Sequence, residues 1–316
     1  MKSTATLNPV MSGHAAEFMR DPMGFVGLAL FPAFASAVQS SDYYVWDREN
    51  SLNIPRNLRR APGAPFARSG MQLSDDLYAC QNYGHETPVP DEHRAKYRNA
   101  INADLAAVRK NVEVIKVNHE LRVKTKATSN AVPNSGVTLT WLDDDSDPKA
   151  DVDIAREAIR MGIGMRPNLM VIPEAARLRL ETHPLIAERV KYTTTGVTSL
   201  QILAGYFGVP RIIVAEQIEN TANEGQTVTA ADIWGEDVLL AYVDGGQDLM
   251  RPSFGRTFYW AEFGTPGADD VPIMIESYRD ESVKSDIHRS LHHTDEKLTC
   301  PLAGYRLTGA LDAVGG

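Results

Sequence analysis

At 316 residues, 43% of them hydrophobic and 23% charged, the chain has an ordinary folded composition with room for one or two domains. A net charge of −9 excludes a general nucleic-acid binder, which would be basic. Two cysteines exclude a disulfide framework and point to a reducing compartment.

Residues 1–40 show no sustained periodicity and are broken at Asn8-Pro9, Asp21-Pro22 and Phe31-Pro32, so an N-terminal arm lying against something else is expected. The apolar run Phe25 to Val38 is interrupted by Pro32 and is too short to span a membrane. Ala35-Ser36-Ala37 has the small side chains of a signal cleavage site. Glu17 and Asp21 precede it, however, and cytosolic synthesis is the expectation. Tyr43 to Trp46 is strand-like. Ile54 to Gly70 then runs through Pro, Gly and Arg with almost no core signal, and such a stretch within a domain is functional or disordered. Its arginines and aromatics argue against plain disorder.

Pro90-Asp91-Glu92 carries the chemistry of a helix start. Apolar residues follow at Tyr97, Ile101, Leu105, Val108, Val112 and Ile115, always three or four apart, which predicts one amphipathic helix reaching about Val123. Such a helix has roughly 30 residues and is ~45 Å long, a spine, with His119 and Glu120 on its polar face. Pro133 to Gly136 predicts a turn, Val137 to Trp141 a strand, and Asp143 to Asp147 an acidic linker.

Helices and strands then alternate. Helices are predicted over Asp151 to Met161, capped by Gly162 and Gly164, from Pro173-Glu174 to Thr182, and over Ser199 to Phe207, stopped by Gly208. Strands are predicted over Leu169 to Ile172, Arg211 to Ala215 and Val238 to Val243. Further strands follow over Thr257 to Phe263, Ile273 to Tyr278 and Leu298 to Leu311. The class is α+β.

The motifs that could carry chemistry fail in detail. His288 and His292 would share a helix face, with His293 and Cys300 nearby, but position 289 is Arg where a metalloprotease helix needs Glu. Asp143 to Asp147 has the alternating acids of a calcium loop, yet Pro148 and Ile154 stand where Gly and Glu are required. Cys80 lacks the basic cluster of a reactive thiol. No catalytic residue, metal or cofactor is expected.

The order of these segments resembles the tailed-phage major capsid family with the Hong Kong 97-like fold. Tyr43 to Arg94 looks like its extended loop leading into the spine helix. Asn168 to Thr193 and Leu203 to Gln226 look like its axial domain, and Pro252 to Trp260 and Asp295 to Leu311 like its returning strands. The resemblance implies an N-terminal arm over 1–40 and an extended β loop over 41–90. A peripheral domain with the spine helix would cover 91–150 and 245–316, and a mixed α/β axial domain 151–244. It implies self-assembly into hexamers and pentamers of an icosahedral shell around double-stranded DNA, within the virion and assembled in the host cytoplasm. A separate scaffolding protein, a portal protein and a decoration protein are the implied partners, with no membrane. An encapsulin-type nanocompartment is the alternative on the same fold. Some members weld their shells through a loop lysine, but no Lys occurs from Ser41 to Pro90, so non-covalent contacts are expected.

Charge is spread unevenly. Ser41 to Gly70 is net +2 and Asp91 to Lys126 net +4, leaving about −15 elsewhere. Tyr43, Tyr44, Trp46, Arg48, Arg56, Arg59, Arg60, Phe66 and Arg68 are the expected inter-subunit contacts, because Arg and aromatics anchor interfaces. Arg109, Lys110 and Lys116 on the spine are the expected DNA-facing residues, reading phosphate and not sequence.

Overall fold

The computed structural model describes residues 5–20, 24–52, 74–97, 102–190, 199–223, 225–262 and 273–312, and within the loop 56, 58–60, 62–63, 65–66, 68 and 70. The described residues of the N-terminal segment lie against their own subunit. β1 (Thr6–Leu7) pairs antiparallel with Ser277 and Glu276, and α1 (Pro9–Arg20) follows it. α2 (Gly27–Leu30) leads to β2 (Ala33–Ser36), which lies parallel to residues 257–260. Val26, Leu30 and Phe31 are fully buried in the main core. Proline breaks hid the periodicity of this segment without preventing its burial.

β3 (Ser40–Val45) and β4 (Ser74–Ala79) form a separate antiparallel ribbon, with the short α3 (Arg48–Leu52) between them. β5 (Gln81–Pro90) runs directly into α4 (Asp91–Tyr97). The spine is two helices where one was expected, because α5 (Ala103–Ala127) has its own N-cap. The Asn102 side chain accepts from the N–H groups of Asp104 and Leu105, both at 3.2 Å, which satisfies donors that a continuing helix would have bonded internally. The 25 residues of α5 span ~37 Å. Val108, Val112 and Ile115 pack with Ala15, Ile273 and Ile275 as the spacing predicts. The Tyr97 side chain and Ile101 lie outside the described residues.

β6 (Asn134–Gly136) occupies the predicted turn, and no strand forms over 137–141. α6 (Pro148–Ile163) is capped by Asp147 and ends at Gly164, whose φ of 77° is the left-handed conformation that glycine adopts freely. β7 (Leu169–Pro173), α7 (Glu174–Thr182), α8 (Pro184–Val190), α9 (Leu200–Phe207) and β8 (Arg211–Ala215) follow nearly as predicted. A small hairpin, β9 (Ile218–Asn220) with β10 (Ala230–Asp232), precedes β11 (Val238–Ala241). The returning strands are β12 (Arg256–Trp260), β13 (Met274–Asp280), the thirteen-residue β14 (Ser285–Lys297) and β15 (Gly304–Thr308). The strand expected over 298–311 is therefore confined to 304–308, after a 3-10 turn at Pro301–Ala303.

Two sheets organise the body. A five-stranded sheet has the order β6-β15-β11-β7-β8. A six-stranded sheet runs β1-β13-β14-β12-β2, with β5 on the other edge of β14. β6 and β15, which the sequence reading assigned to the peripheral domain, pair within the same sheet as β11, β7 and β8. Residues at 134–136 and 304–308 are far apart in sequence, and strand pairing at that distance leaves no local trace.

Glu120 joins the pieces. It is 1% exposed, and its carboxylate accepts from the N–H groups of Val26 (2.9 Å) and Gly27 (2.8 Å) and from Trp234 Nε1 (2.6 Å). It was expected on the polar face of the spine and is a core residue. A Cβ on Gly27 would stand 2.7 Å from Glu120 Oε2, so this close approach requires glycine. Glu120→Ala leaves three buried donors unsatisfied and lowers unfolding free energy by about 3 kcal/mol in urea denaturation. An unchanged midpoint would show that this junction is not needed for stability.

Candidate functional site

The candidate site is a surface: the ribbon β3–β4 and the loop between its strands. Tyr43 and Tyr78 face inward, and Phe258 of β12 stacks on Tyr78 with ring centroids 4.6 Å apart. Tyr43 is 4% exposed, its hydroxyl donates to Asp76 at 3.0 Å, and burial pushes its pKa up. Tyr43 was expected at an inter-subunit contact but anchors the ribbon to its own subunit. Alternation along a strand sent it inward, while Tyr44 is half-buried. Trp46 is partly buried against the main core. Sequence reasoning missed Tyr78 and Phe258, whose only signal was alternation within short strands.

Beyond the ribbon, every described residue between 56 and 70 is exposed. Arg56, Arg59, Arg60, Phe66 and Arg68 are among them, with Phe66 at 69% and the neighbouring Leu58 at 68%. The Arg60 guanidinium lies over the Phe66 ring, 4.5 Å from its centroid. Arg48 is exposed and donates to the Met161 carbonyl at the end of α6, at 3.1 Å.

On the spine, Arg109 and Lys110 are exposed, and Arg109 pairs with Glu113 at 3.3 Å. Lys116 is buried, its ammonium 5.3 Å from the Phe25 ring centroid. It cannot present its charge to DNA, because the N-terminal segment covers that part of the helix.

The histidines lie on β14 and not on a helix, so His288 and His292 share a strand face while His293 points to the other. His288 contacts Asp104 of α5 (Nε2 to Oδ1, 2.9 Å) and Ser277 of β13 (Nδ1 to Oγ, 3.0 Å). Arg94 also engages Asp104, at 2.6 Å, so the carboxylate ties α4, α5 and β14 together. Asn111 of α5 is fully buried and bonds His85, Thr87 and the His288 carbonyl. Cys80 is buried, with its thiol pushed up to about 12 by burial. Cys300 sits apart in the main core. Among the described residues no three His, Cys, Asp or Glu side chains are grouped to hold a metal ion.

No family model matches the chain. The major capsid protein of Burkholderia phage BcepMu is 32% identical over 282 residues, 84% of this chain and 86% of that protein. The chain belongs to the phage major capsid protein family. A phage-related protein from Bordetella bronchiseptica RB50 is similar in structure, with a TM-score of 0.73 at 27% identity over 98% of this chain and 99% of that one. The capsid of Myoviridae phage XM1 has a TM-score of 0.57 at 10% identity, covering 98% and 94%. The SrpI encapsulin of Synechococcus elongatus has a TM-score of 0.51 at 11% identity, covering 90% and 86%. Likenesses at that identity concern the fold alone, which is the α+β Hong Kong 97-like capsid fold. The capsid subunit is thus a structural, shell-forming protein of the virion. Among its described residues no helix is long and apolar enough to cross a membrane.

The capsid subunit carries an acid-sensitive seam between α5 and β14. Arg122 grips Glu296 through Nε (2.8 Å) and Nη2 (2.9 Å) and lies over the Tyr83 ring. Burial works against ionisation of Glu296, but the Arg122 hydrogen bonds, the positive charges of His119 and Arg122 and the Thr294 hydroxyl together outweigh it and hold the carboxyl at about 2. Burial pushes His119 down to about 4 and His292 down to about 3, and neither His292 ring nitrogen has a hydrogen-bond partner among the described residues. Depressed histidines bind fewer protons folded than unfolded, so their stabilisation is full above about 6.5 and falls as pH drops toward their folded values. Glu296 adds a loss of the same sign below about 4.5. The unassembled subunit should therefore lose about 1 kcal/mol per buried histidine between pH 7.5 and 5.5, read from urea midpoints. His292→Leu should flatten that slope, and a flat wild-type profile would contradict the account.

Proposed function

We propose that this chain assembles into hexamers and pentamers of an icosahedral shell that encloses packaged double-stranded DNA, with the arginine loop as its main inter-subunit contact. The observation that carries the reading is the loop itself. Its described residues leave four arginines, Phe66 and Leu58 in solvent, and Phe66 is the one aromatic ring among the exposed large apolar side chains of the described residues. Exposed aromatic and arginine side chains of this kind are the usual anchors of protein interfaces. The rest of the chain supplies the complement, because the net charge is −9 although the loop region is positive. Arginine forks then meet carboxylates of neighbouring copies.

Arg109 and Lys110 are the remaining candidates for facing DNA. Contact there would neutralise phosphates without reading bases, and it would weaken with salt. The described residues of the N-terminal segment lie against their own subunit through β1 and β2. A separate scaffolding protein, a portal protein and a decoration protein are proposed as partners, with synthesis in the host cytoplasm. The subunit's role is structural, with no catalysis. The encapsulin reading shares the fold, while the 32% identity favours the phage shell.

Negative-stain electron microscopy of the chain expressed alone and with candidate scaffolding proteins tests the assembly. Closed shells or capsomer rings are expected. A uniform monomer under every condition would refute the proposal. Arg59→Glu with Arg60→Glu should reduce shell yield at least about tenfold, since like charges brought together at a contact are strongly unfavourable. Normal shells from that variant would remove the loop from the interface.

A further inference from the structure

Helix α6 carries opposite charges at its two ends, each beside exposed apolar side chains. Before its N-terminus the turn 143–147 holds four aspartates. Asp147 is spent on the cap, accepting from the N–H groups of Lys149 and Ala150 at 3.1 Å, and Asp144 is paired with Arg179. Asp144 nonetheless remains 73% exposed, Asp145 is exposed, and Leu142 beside them is 43% exposed.

The far end is basic. A cavity there is lined by Asp153, Arg156, Glu157, Arg160 and Arg166. Arg156 is committed to its own subunit, pairing with Asp153 at 2.8 Å and lying against the Gly208 cap of α9. Arg160 pairs with Glu157 but stays 46% exposed, and Arg166 is exposed. Arg48 arrives from α3 to bond the Met161 carbonyl, a cation at a helix C-terminus. Three arginines thus meet in solvent beside Met161, 57% exposed, and Met165, 37% exposed. The sixteen residues of α6 hold the two ends ~24 Å apart, so a subunit cannot bring its acidic turn to its own arginine end. A second copy can.

We propose that the acidic turn 143–147 of one subunit seats against Arg48, Arg160 and Arg166 of the next, making a head-to-tail contact that propagates around the capsomer. The inference rests on the proposed assembly into hexamers and pentamers. A contact between two different patches is heterologous, and it closes into a ring when its rotation divides the circle. Leu142 and the two methionines give the contact an apolar part, and the charges fix its direction.

Charge swapping tests it. Arg160→Glu with Arg166→Glu, and separately Asp144→Lys with Asp145→Lys, should each lower the yield of closed shells at least about tenfold by placing like charges together. All four substitutions in one chain restore opposite charges at every contact, and shell yield should return to within about twofold of wild type. Mixing the two double variants should give hexamers but no closed shells, because an alternating ring needs an even number of members and a pentamer cannot alternate. As a second measurement, Arg160→Cys with Asp145→Cys should cross-link neighbouring subunits on mild oxidation of assembled shells. The contact is overturned if the double variants assemble like wild type, if the folded quadruple variant assembles no better than either, or if no cross-link forms. In those cases wild-type shells would still support the assembly reading, whereas a wild-type chain forming neither rings nor shells would overturn both.

Discussion

The fold depends on one buried carboxylate. Removing an ionised group from water is costly unless donors replace its hydration, and Glu120 meets that demand with two backbone N–H groups and an indole. Those donors come from the N-terminal segment and from the loop carrying Trp234, while the carboxylate belongs to the spine. Each element therefore holds the others in place. Burial raises the Glu120 pKa while the bonds from Val26, Trp234 and Gly27 lower it, and burial dominates. The junction is most comfortable where the group's charge is best compensated, which makes all three donors necessary together. It also shows what the N-terminal segment, read in sequence as an arm lying against something else, rests on at Val26 and Gly27: its own spine helix.

A second constraint follows along the same helix. α5 has an apolar face toward α1 and β13, and a polar face toward β5 and β14 built from Asp104, Asn111, His119 and Arg122. Buried ion pairs of the Arg122–Glu296 kind add little net stability over well-packed apolar residues, but losing one partner is expensive. Their directional bonds fix where the helix lies along the sheet, since a one-residue slip of β14 would turn His288, His292 and Glu296 to the opposite face. The spine is thus set by geometry on one side and by packing on the other.

How much of this was legible follows from the range of each signal. The helices and strands from 148 to 241 were readable where local chemistry marks them: Gly164 ends α6, Pro173 precedes α7 and Gly208 ends α9, whereas the Asp147 cap was read as linker and α6 was started at Asp151 instead of Pro148. The spine was legible as a helix but not as two, because an Asn cap looks like any polar residue between apolar ones. His119 and Glu120 were misplaced since a polar residue on a helix suggests solvent unless its distant partners are known. The pairing of β15 with β6 and β11, and of β2 with β12, is non-local and has no sequence period. Of the candidate site, only exposure can be compared: the described arginines of the loop are exposed, whereas Tyr43 and Lys116 are buried, a difference set by distant partners that composition does not reveal.

The contrast between body and loop bears on how such a subunit can build a closed particle. The body ties its helices and sheets together through buried groups such as Glu120, Asn111 and the Arg122–Glu296 pair, while the described loop residues lie in solvent. The described arginines of the loop are exposed, with Arg60 lying over Phe66, and Arg48 of α3 bonds the Met161 carbonyl. Surface ion pairs are individually weak, about 0.2–1 kcal/mol, and are screened by salt. A single such contact cannot hold two subunits, but a ring repeats it at every member, and a shell repeats the ring. Weak contacts also break readily, so a misplaced subunit can leave before neighbours enclose it. In the proposed assembly, with no lysine between Ser41 and Pro90 to weld the loop covalently, this reversibility would persist in the finished contact, and closure would come from the number of contacts rather than the strength of any one.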